Sequence, residues 1–381
     1  MLKKIIIKNV NSIGECVIDF EKGNYRYLED NVEGDIVNPL AFYGHNGSGK
    51  SSVFVAMAYL INLMVEPAES LLPFVVNHFL YEEYRVGKKK DKNLITGSIE
   101  LHFELGDSSY EYFIATSSLR QIEKEYLKKD GVIILTRGLD EYTYNGKRFS
   151  YDNMSKLIPS LRLLASMEIG DETIQTVYSY ISAFTFVNLP FINNGGFVTS
   201  KLFKNTNIFD LLANHSEEVR EILKDYDEFP IYTIKKNSSS DPFGNPINQY
   251  SLILEGEGFK GNLPFQMISA GMKNQSLLLS ILAVMPRNGV LFVDELESAL
   301  HPSAIRSFLK VVKAKGVQLV FSSHNTNILQ ILRPDQIYFA KWKKGKSKYC
   351  RLSKVYPNVR EINNIEKMYL GSVFDEAIDN G

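Results

Sequence analysis

The run LAFYGHNGSGKSS, from Leu40 to Ser52, limits what this chain can fold into more than any other stretch. It fits the phosphate-binding loop pattern G-x-x-x-x-G-K-[S/T] through Gly44, Gly49, Lys50 and Ser51. Leu40 to Tyr43 reads as a buried strand entering the loop. Behind the loop, Val53, Phe54, Ala56, Met57, Leu60, Ile61 and Met64 recur at helical spacing. Strand, glycine loop and helix therefore follow in the order the motif needs. Gly44, Gly47 and Gly49 let the backbone curl so that successive N–H groups face a phosphate chain, and the helix adds its positive dipole end. Contacts to a nucleotide are expected from Gly44, Asn46, Gly47, Ser48, Gly49, Lys50, Ser51 and Ser52. Lys50 would reach the β and γ phosphates, and the Ser51 hydroxyl would ligate Mg²⁺.

A loop of this kind needs carboxylates delivered from elsewhere in the chain. Val290-Leu291-Phe292-Val293-Asp294-Glu295 is an apolar run ending in two acids, the pattern of a buried parallel strand with carboxylates at its C-terminal edge. Asp294 is expected to hold Mg²⁺ opposite Ser51, and Glu295 to orient and deprotonate an attacking water. Val317 to Phe321 reads as a second buried strand, closed by Ser322-Ser323-His324-Asn325. His324, on the same edge as the acids, can hydrogen-bond a γ-phosphate. His301, before Pro302, reads as a turn residue. Lys50, Glu295 and His324 are thus the candidate catalytic groups, with Ser51 and Asp294 as metal ligands. A further phosphate-facing surface is read at Ser269 and Gly271, in Ile268-Ser269-Ala270-Gly271-Met272-Lys273-Asn274-Gln275 before a helix from Ser276 to Met285. One triphosphate has no use for two such surfaces from one chain. The second is therefore expected to close over the nucleotide of another copy, each subunit completing its neighbour's site.

Composition narrows the rest. Lys plus Arg is 43 against 44 for Asp plus Glu in 381 residues, so no global field argues for nucleic acid or a membrane. Cys16 and Cys350 lie far apart and make no C-x-x-C pair, which points to a reducing cytosol. The apolar run before Lys8 is too short for a signal-peptide core, and Val53 to Val65 is too short to span a bilayer; a cytoplasmic protein is expected. Ile5 to Val10 and Cys16 to Phe20 read as strands, Ser98 to Leu105 and Tyr110 to Ala115 as an antiparallel hairpin, and Val132 to Leu135 with Glu141 to Tyr144 as more strands with an Asn145-Gly146 turn. Ser155 to Tyr180 and Ser216 to Tyr226 read as helical, Ala183 to Leu189 and Tyr250 to Glu255 as strands, and Gly87 to Lys92 and Asn237 to Asn248 as loops. No sustained heptad seam runs between Ala115 and Gly261, so no long coiled-coil arm is expected.

Taken together, these residues resemble the ATPase heads of the ABC superfamily, in the SMC/RecF-like branch. GHNGSGKS is similar to a Walker A motif, ISAGMKNQ to a degenerate signature, VLFVDELESALHP to Walker B with the D-loop, and FSSHN to the switch histidine. More narrowly the chain resembles compact stand-alone AAA-type ATP-binding proteins of bacterial abortive-infection and phage-defence loci, with RloA-like and OLD-like heads. LKKIIIKNVNSIGE, EEVREILKDYD and LRPDQIYF carry that likeness toward both ends. Ala270 replaces the first signature glycine, and Met272 stands where many relatives have Gln or Glu.

The resemblance implies an α/β fold of P-loop NTPase, ABC-head type: a mostly parallel core sheet, an antiparallel β subdomain and an inserted α/β lid. Domains are expected at 1–115 (Walker A lobe), 116–260 (lid) and 261–381 (signature, Walker B and switch histidine). It implies ATP and Mg²⁺ as cofactors, ATP hydrolysis, a homo-oligomer of at least two heads, and a separate nuclease or toxin as partner. The 57 residues after His324 fall short of the roughly 100 that a Toprim nuclease domain needs, so no effector domain is expected within the chain. The leading expectation is a sensor or regulatory ATPase of antiphage defence. The alternative is a RecF-type repair or recombination ATPase that clamps DNA. Its candidate contacts are Lys88 to Lys90 with Lys92, and Lys341, Lys343, Lys344, Lys346 and Lys348 around Trp342, with weak DNA binding at most.

Overall fold

The computed structural model describes residues 1–66, 96–117, 121–150, 155–167, 171–188, 197–203, 208–224, 231–256, 259–264, 267, 269–298, 300, 302–361 and 363–374. The readings at 87–92 and His301, and the last seven residues of the tail, lie outside them. In chain order, β1 (Leu2–Val10) and β2 (Ile13–Asp19) form a hairpin, and β3 (Val32–Glu33) and β4 (Ile36–Val37) a small ribbon. β5 (Leu40–Tyr43) leads through the glycine loop into α1 (Lys50–Val65). β6 (Thr96–Leu105), β7 (Ser108–Ser117), β8 (Ile122–Lys129), β9 (Val132–Arg137), β10 (Glu141–Tyr144) and β11 (Lys147–Ser150) run as an antiparallel meander. Then come α2 (Ser160–Ser166), α3 (Glu172–Ser182), β12 (Thr185–Asn188), β13 (Phe197–Thr199), α4 (Ile208–Asn214) and α5 (Ser216–Lys224). A separate sheet holds β14 (Ile231–Ser240), β15 (Pro246–Gly256) and β16 (Phe259–Pro264). The last part holds α6 (Ala270–Val284), β17 (Val290–Asp294), α7 (Pro302–Lys315), β18 (Gln318–Ser322), β19 (Ile337–Lys343), β20 (Lys346–Arg351), α8 (Leu352–Val355) and α9 (Ile365–Leu370).

Among the described residues one sheet of fifteen strands runs β11-β10-β9-β8-β7-β6-β1-β2-β20-β19-β5-β18-β17-β12-β13. Its centre, β19, β5, β18, β17 and β12, is parallel. Those strands are nearly unbroken apolar runs because both faces are covered. The two-residue period divides them between two cores. Phe42, Phe292 and Val320 point to the side of α1, α2 and α3, whereas Ala41, Tyr43, Leu291, Val293, Leu319 and Phe321 point to the side of α6 and α7. α1 is buried nearly all round, packed on the sheet on one side and α3 on the other. β6 instead alternates buried and half-buried positions, as a strand with one covered face does.

The segment expected as a single lid is distributed over several places. β8 to β11 extend the antiparallel wing, α2 and α3 pack with each other, with α3 lying on α1, and β12 pairs in parallel with β17 inside the core sheet. The buried Glu125 carboxylate ties α2 to the wing: it accepts from Tyr112 Oη (2.9 Å) and from the N–H groups of Ser160 (2.6 Å) and Leu161 (3.0 Å) at the helix start. The stretch read as a loop at 237–248 is instead a hairpin, with Ser238, Ser239 and Ser240 opposite Asn248, Ile247 and Pro246. Its side chains are exposed, so backbone pairing continues with no apolar alternation to announce it. The turn is held by Asp241, whose Oδ1 accepts the N–H groups of Phe243 and Asn245.

Candidate functional site

Three adjacent parallel strands end on one edge. Phe42 of β5 is opposite Ser322 of β18, and Phe321 of β18 is opposite Val293 of β17. The glycine loop, Asp294 with Glu295, and Ser322 to His324 therefore emerge side by side at the carboxyl ends of the strands, where open α/β sheets bind ligands. Gly44, Gly47 and Gly49 have φ of 152°, 74° and 99°. A Cβ on Gly49 would collide with the Ser347 hydroxyl, and one on Gly44 with the Ala340 carbonyl, so the loop is pressed against β19 and β20. Ser12, at the β1–β2 turn, joins this packing: its Oγ is 2.7 Å from Ser347 Oγ and 2.9 Å from Ser52 Oγ, while Tyr349 Oη donates to the Gly49 carbonyl (2.7 Å).

The buried Lys50 donates to the carbonyls of Gly44 (2.7 Å) and His45 (3.2 Å). Burial lowers its pKa, and Asp294, Glu297 and Glu295 oppose that with their charges. Burial pushes Asp294 the other way, above the usual carboxylate value. Hydrogen bonds from Ser322 and Ser51 and the charge of Lys50 restrain the rise, and Glu295 adds to it. Ser322 is the hub of the acids: its Oγ donates to Asp294 Oδ1 (2.5 Å) and accepts the Glu295 N–H (2.8 Å). Glu295 sits at φ 56°, a left-handed turn that costs a non-glycine residue about 1 kcal/mol and carries its side chain away from the strand. Glu297 Oε1 accepts the His324 N–H (2.6 Å), which ties the histidine's loop to the end of β17.

A cleft of about 470 Å³ opens here, lined by Asn46, Gly47, Gly49, Lys50, Ser51, Ser52, Glu295 and His324, with Asn11, Ser12 and Trp342 on its remaining wall. The structure thus brings Lys50, Ser51, Glu295 and His324 to one cavity, with Asp294 buried directly behind them. Gly44 and Ser48 are buried within the loop, and the Ser48 Oγ has no hydrogen-bond partner. Ser269 and Gly271 stand apart. Both are exposed at the start of α6 and neither lines this cleft. α6 begins at Ala270 rather than Ser276, with Ser269 as its cap: the Oγ accepts the Met272 N–H at 3.2 Å.

Residues 40–330 match the family model AAA_21, described as "AAA domain, putative AbiEii toxin, Type IV TA system". The chain belongs to this family. No curated protein matches the chain. Among solved structures, an SMC head bound to the C-terminal winged-helix domain of ScpA aligns with a TM-score of 0.53 at 14% identity, covering 93% of this chain and 99% of that one. An SMC head with an extended coiled coil, bound to the C-terminal domain of ScpA derived from Pyrococcus furiosus, gives 0.49 at 13% identity, over 93% and 98% of the two chains. The SMC head domain from Thermotoga maritima gives 0.45 at 13% identity, over 92% and 98%. The first of these likenesses establishes the fold of this AAA_21 member as that of an SMC head P-loop ATPase.

Sequence reasoning passed over Ser322, Glu297, Ser12 and Ser347, and placed Trp342 only within a run of candidate DNA contacts. Ser322 and Glu297 carried a weak signal, as polar residues at the ends of apolar strands that already bore candidate groups. Ser12 and Ser347 carried none, and nothing local tied Trp342 to the glycine loop, because long-range pairing alone brings these hairpins to it.

Proposed function

We propose that this AAA_21 protein binds and hydrolyses ATP, assembles through its heads into at least a dimer, and acts as the sensor or regulatory subunit of a cytoplasmic abortive-infection defence system that controls a separate nuclease or toxin. The observation that carries the proposal is the meeting of Lys50, Ser51, Glu295 and His324 on one cleft, with Asp294 behind it. The residues present fit a magnesium-bound triphosphate. The loop has left-handed glycines and an unpartnered buried hydroxyl at Ser48, and the Ser51 side chain hydrogen-bonds Asp294. Among the described residues no group of three or more His, Cys, Asp or Glu could hold a metal alone. A single carboxylate with a hydroxyl is what Mg²⁺ uses when phosphates supply its other ligands.

In this reading Asp294 and Ser51 hold Mg²⁺, which neutralises charge on the phosphates. Lys50 leaves the carbonyls of Gly44 and His45 to bind phosphate oxygens, and the loop N–H groups cradle them. Glu295 takes the proton of the attacking water, and His324 donates to the terminal phosphate. The exposed Ser269 and Gly271 end of α6 faces the nucleotide of a second copy. No described helix is long and apolar enough to cross a membrane. Sedimentation of Glu295→Gln with and without Mg²⁺ and ATP tests the assembly. A dimer that forms only with ATP and is lost in Gly271→Arg is expected; a mass that ignores both nucleotide and substitution contradicts it.

The family description favours a second reading, in which this chain is itself the toxic component. Induced alone in a bacterial host, the chain should not arrest growth if it regulates a separate effector. Arrest that persists in Lys50→Ala would favour the second reading.

A further inference from the structure

Trp342 is the only tryptophan in the chain, and it is 52% exposed. Its ring contacts no other aromatic ring among the described residues, yet it forms part of the wall of the cleft that Lys50, Ser51 and Glu295 line. So large an apolar side chain is ordinarily covered. Its place in the sheet is set by a tight turn. β19 and β20 are joined by a two-residue turn with Lys344 at φ 50° and Gly345 at φ 79°, the left-handed pair of a tight hairpin. Trp342 lies directly opposite Ser347, so both side chains project from the same face of the sheet. That face is the one on which Ser347 meets the loop, since the Ser347 hydroxyl blocks any Cβ at Gly49 and bonds Ser12. The packing that shapes the loop thereby also sets the strand position from which the indole reaches the cleft wall.

We propose that Trp342 is the base-stacking platform of this site, so that the ligand's nucleobase lies on the indole while its phosphates occupy the glycine loop. This rests on the nucleotide reading above and adds to it the subsite for an aromatic base. Stacking on an exposed aromatic is tolerant of base identity and strong enough to govern affinity. After four buried residues β19 ends with Trp342 exposed between the half-buried Lys341 and Lys343, so on this reading the basic run seen in the sequence borders the nucleotide site.

The single tryptophan makes the test direct. The full chain is titrated, in the presence of Mg²⁺, with ATP and with tripolyphosphate, which has the phosphates and lacks the base. ATP should change the tryptophan emission saturably; tripolyphosphate should leave it unchanged while displacing ATP. By calorimetry Trp342→Ala should bind ATP roughly tenfold or more weakly, with tripolyphosphate affinity unaltered, and Trp342→Phe should recover most of the loss. Binding of ATP with no change in emission and equal affinity in Trp342→Ala would overturn the proposal and leave the phosphate site standing. An emission change produced by single-stranded DNA and not by ATP would overturn it too. Failure of both ATP and tripolyphosphate to bind would remove the nucleotide reading itself.

Discussion

Gly49 shows how a single position can serve both fold and site. Its φ of 99° and its contact with Ser347 leave no room for a methyl group. Gly49→Ala is expected to lower stability by about 1–3 kcal/mol even without nucleotide, measured by thermal or urea unfolding. Asp294 has the opposite signature. A carboxylate whose pKa is raised by burial makes the folded state less favourable above that pKa, so Asp294→Asn should leave the melting temperature unchanged or higher while abolishing magnesium-dependent nucleotide binding. On the proposed reading, nucleotide binding needs Asp294 ionised and Lys50 protonated. Since Asp294 is shifted up and Lys50 down, affinity should fall at a higher pH on the acid side, and at a lower pH on the alkaline side, than free side chains would give. A series of dissociation constants against pH measures both limbs. Gly44, Lys50, Ser51, Asp294 and Glu295 were legible in the sequence because each sits at a fixed offset within a strand-to-loop pattern. Ser322 and Glu297 were not, because their importance lies in hydrogen bonds to residues 27 positions away.

At the level of elements, β5, β17 and β18 could be read from the chain because burial on both faces writes an unbroken apolar run, and β6 because one wet face writes alternation. The 237–248 end of the β14–β15 hairpin was hidden by its exposed Ser and Asn ladder although Tyr250 to Glu255 was legible as strand, and β12 was legible as a strand but not as part of the core. Its neighbour β17 lies about a hundred residues on, and nothing local announces a parallel partner. The connection before β19 carries a device of its own. Arg333, fully buried, makes a two-pronged pair with Asp335 at 3.0 and 3.1 Å and donates to the carbonyls of Tyr27 and Gly23, while Asp335 accepts the Gly23 N–H at 2.6 Å. This clasp fastens the 23–27 segment at the edge of the sheet where β19 begins, opposite the cleft. Asp335→Ala would leave the buried guanidinium with only the longer 3.7 Å pair to Glu29 and should cost roughly 3–5 kcal/mol in urea unfolding. ATP affinity, measured where the variant remains folded, should be unaltered.

At the scale of the whole molecule, the chain has the SMC-head fold in the AAA_21 family, and Ser269 and Gly271 at the start of α6 are exposed and do not line the chain's own cleft. That arrangement makes sense of a site shared between two copies. With a net charge of −1, any duplex DNA contact must rest on a local basic run, and of the two read in the sequence the one among the described residues is on the β19–β20 hairpin. Replacing Lys344 and Lys346 by Gln should then change DNA binding little at physiological salt, whereas a steep loss with a strong salt dependence would favour the clamp reading. The most direct measurement is phosphate release from saturating ATP and Mg²⁺ by the wild-type chain and by Glu295→Gln, with bound nucleotide quantified in parallel. The cleft described here predicts hydrolysis by the wild type and a rate lower by at least about 10²-fold in the variant, which still retains ATP. Equal rates in the two proteins, or a wild type that holds no ATP, would contradict it.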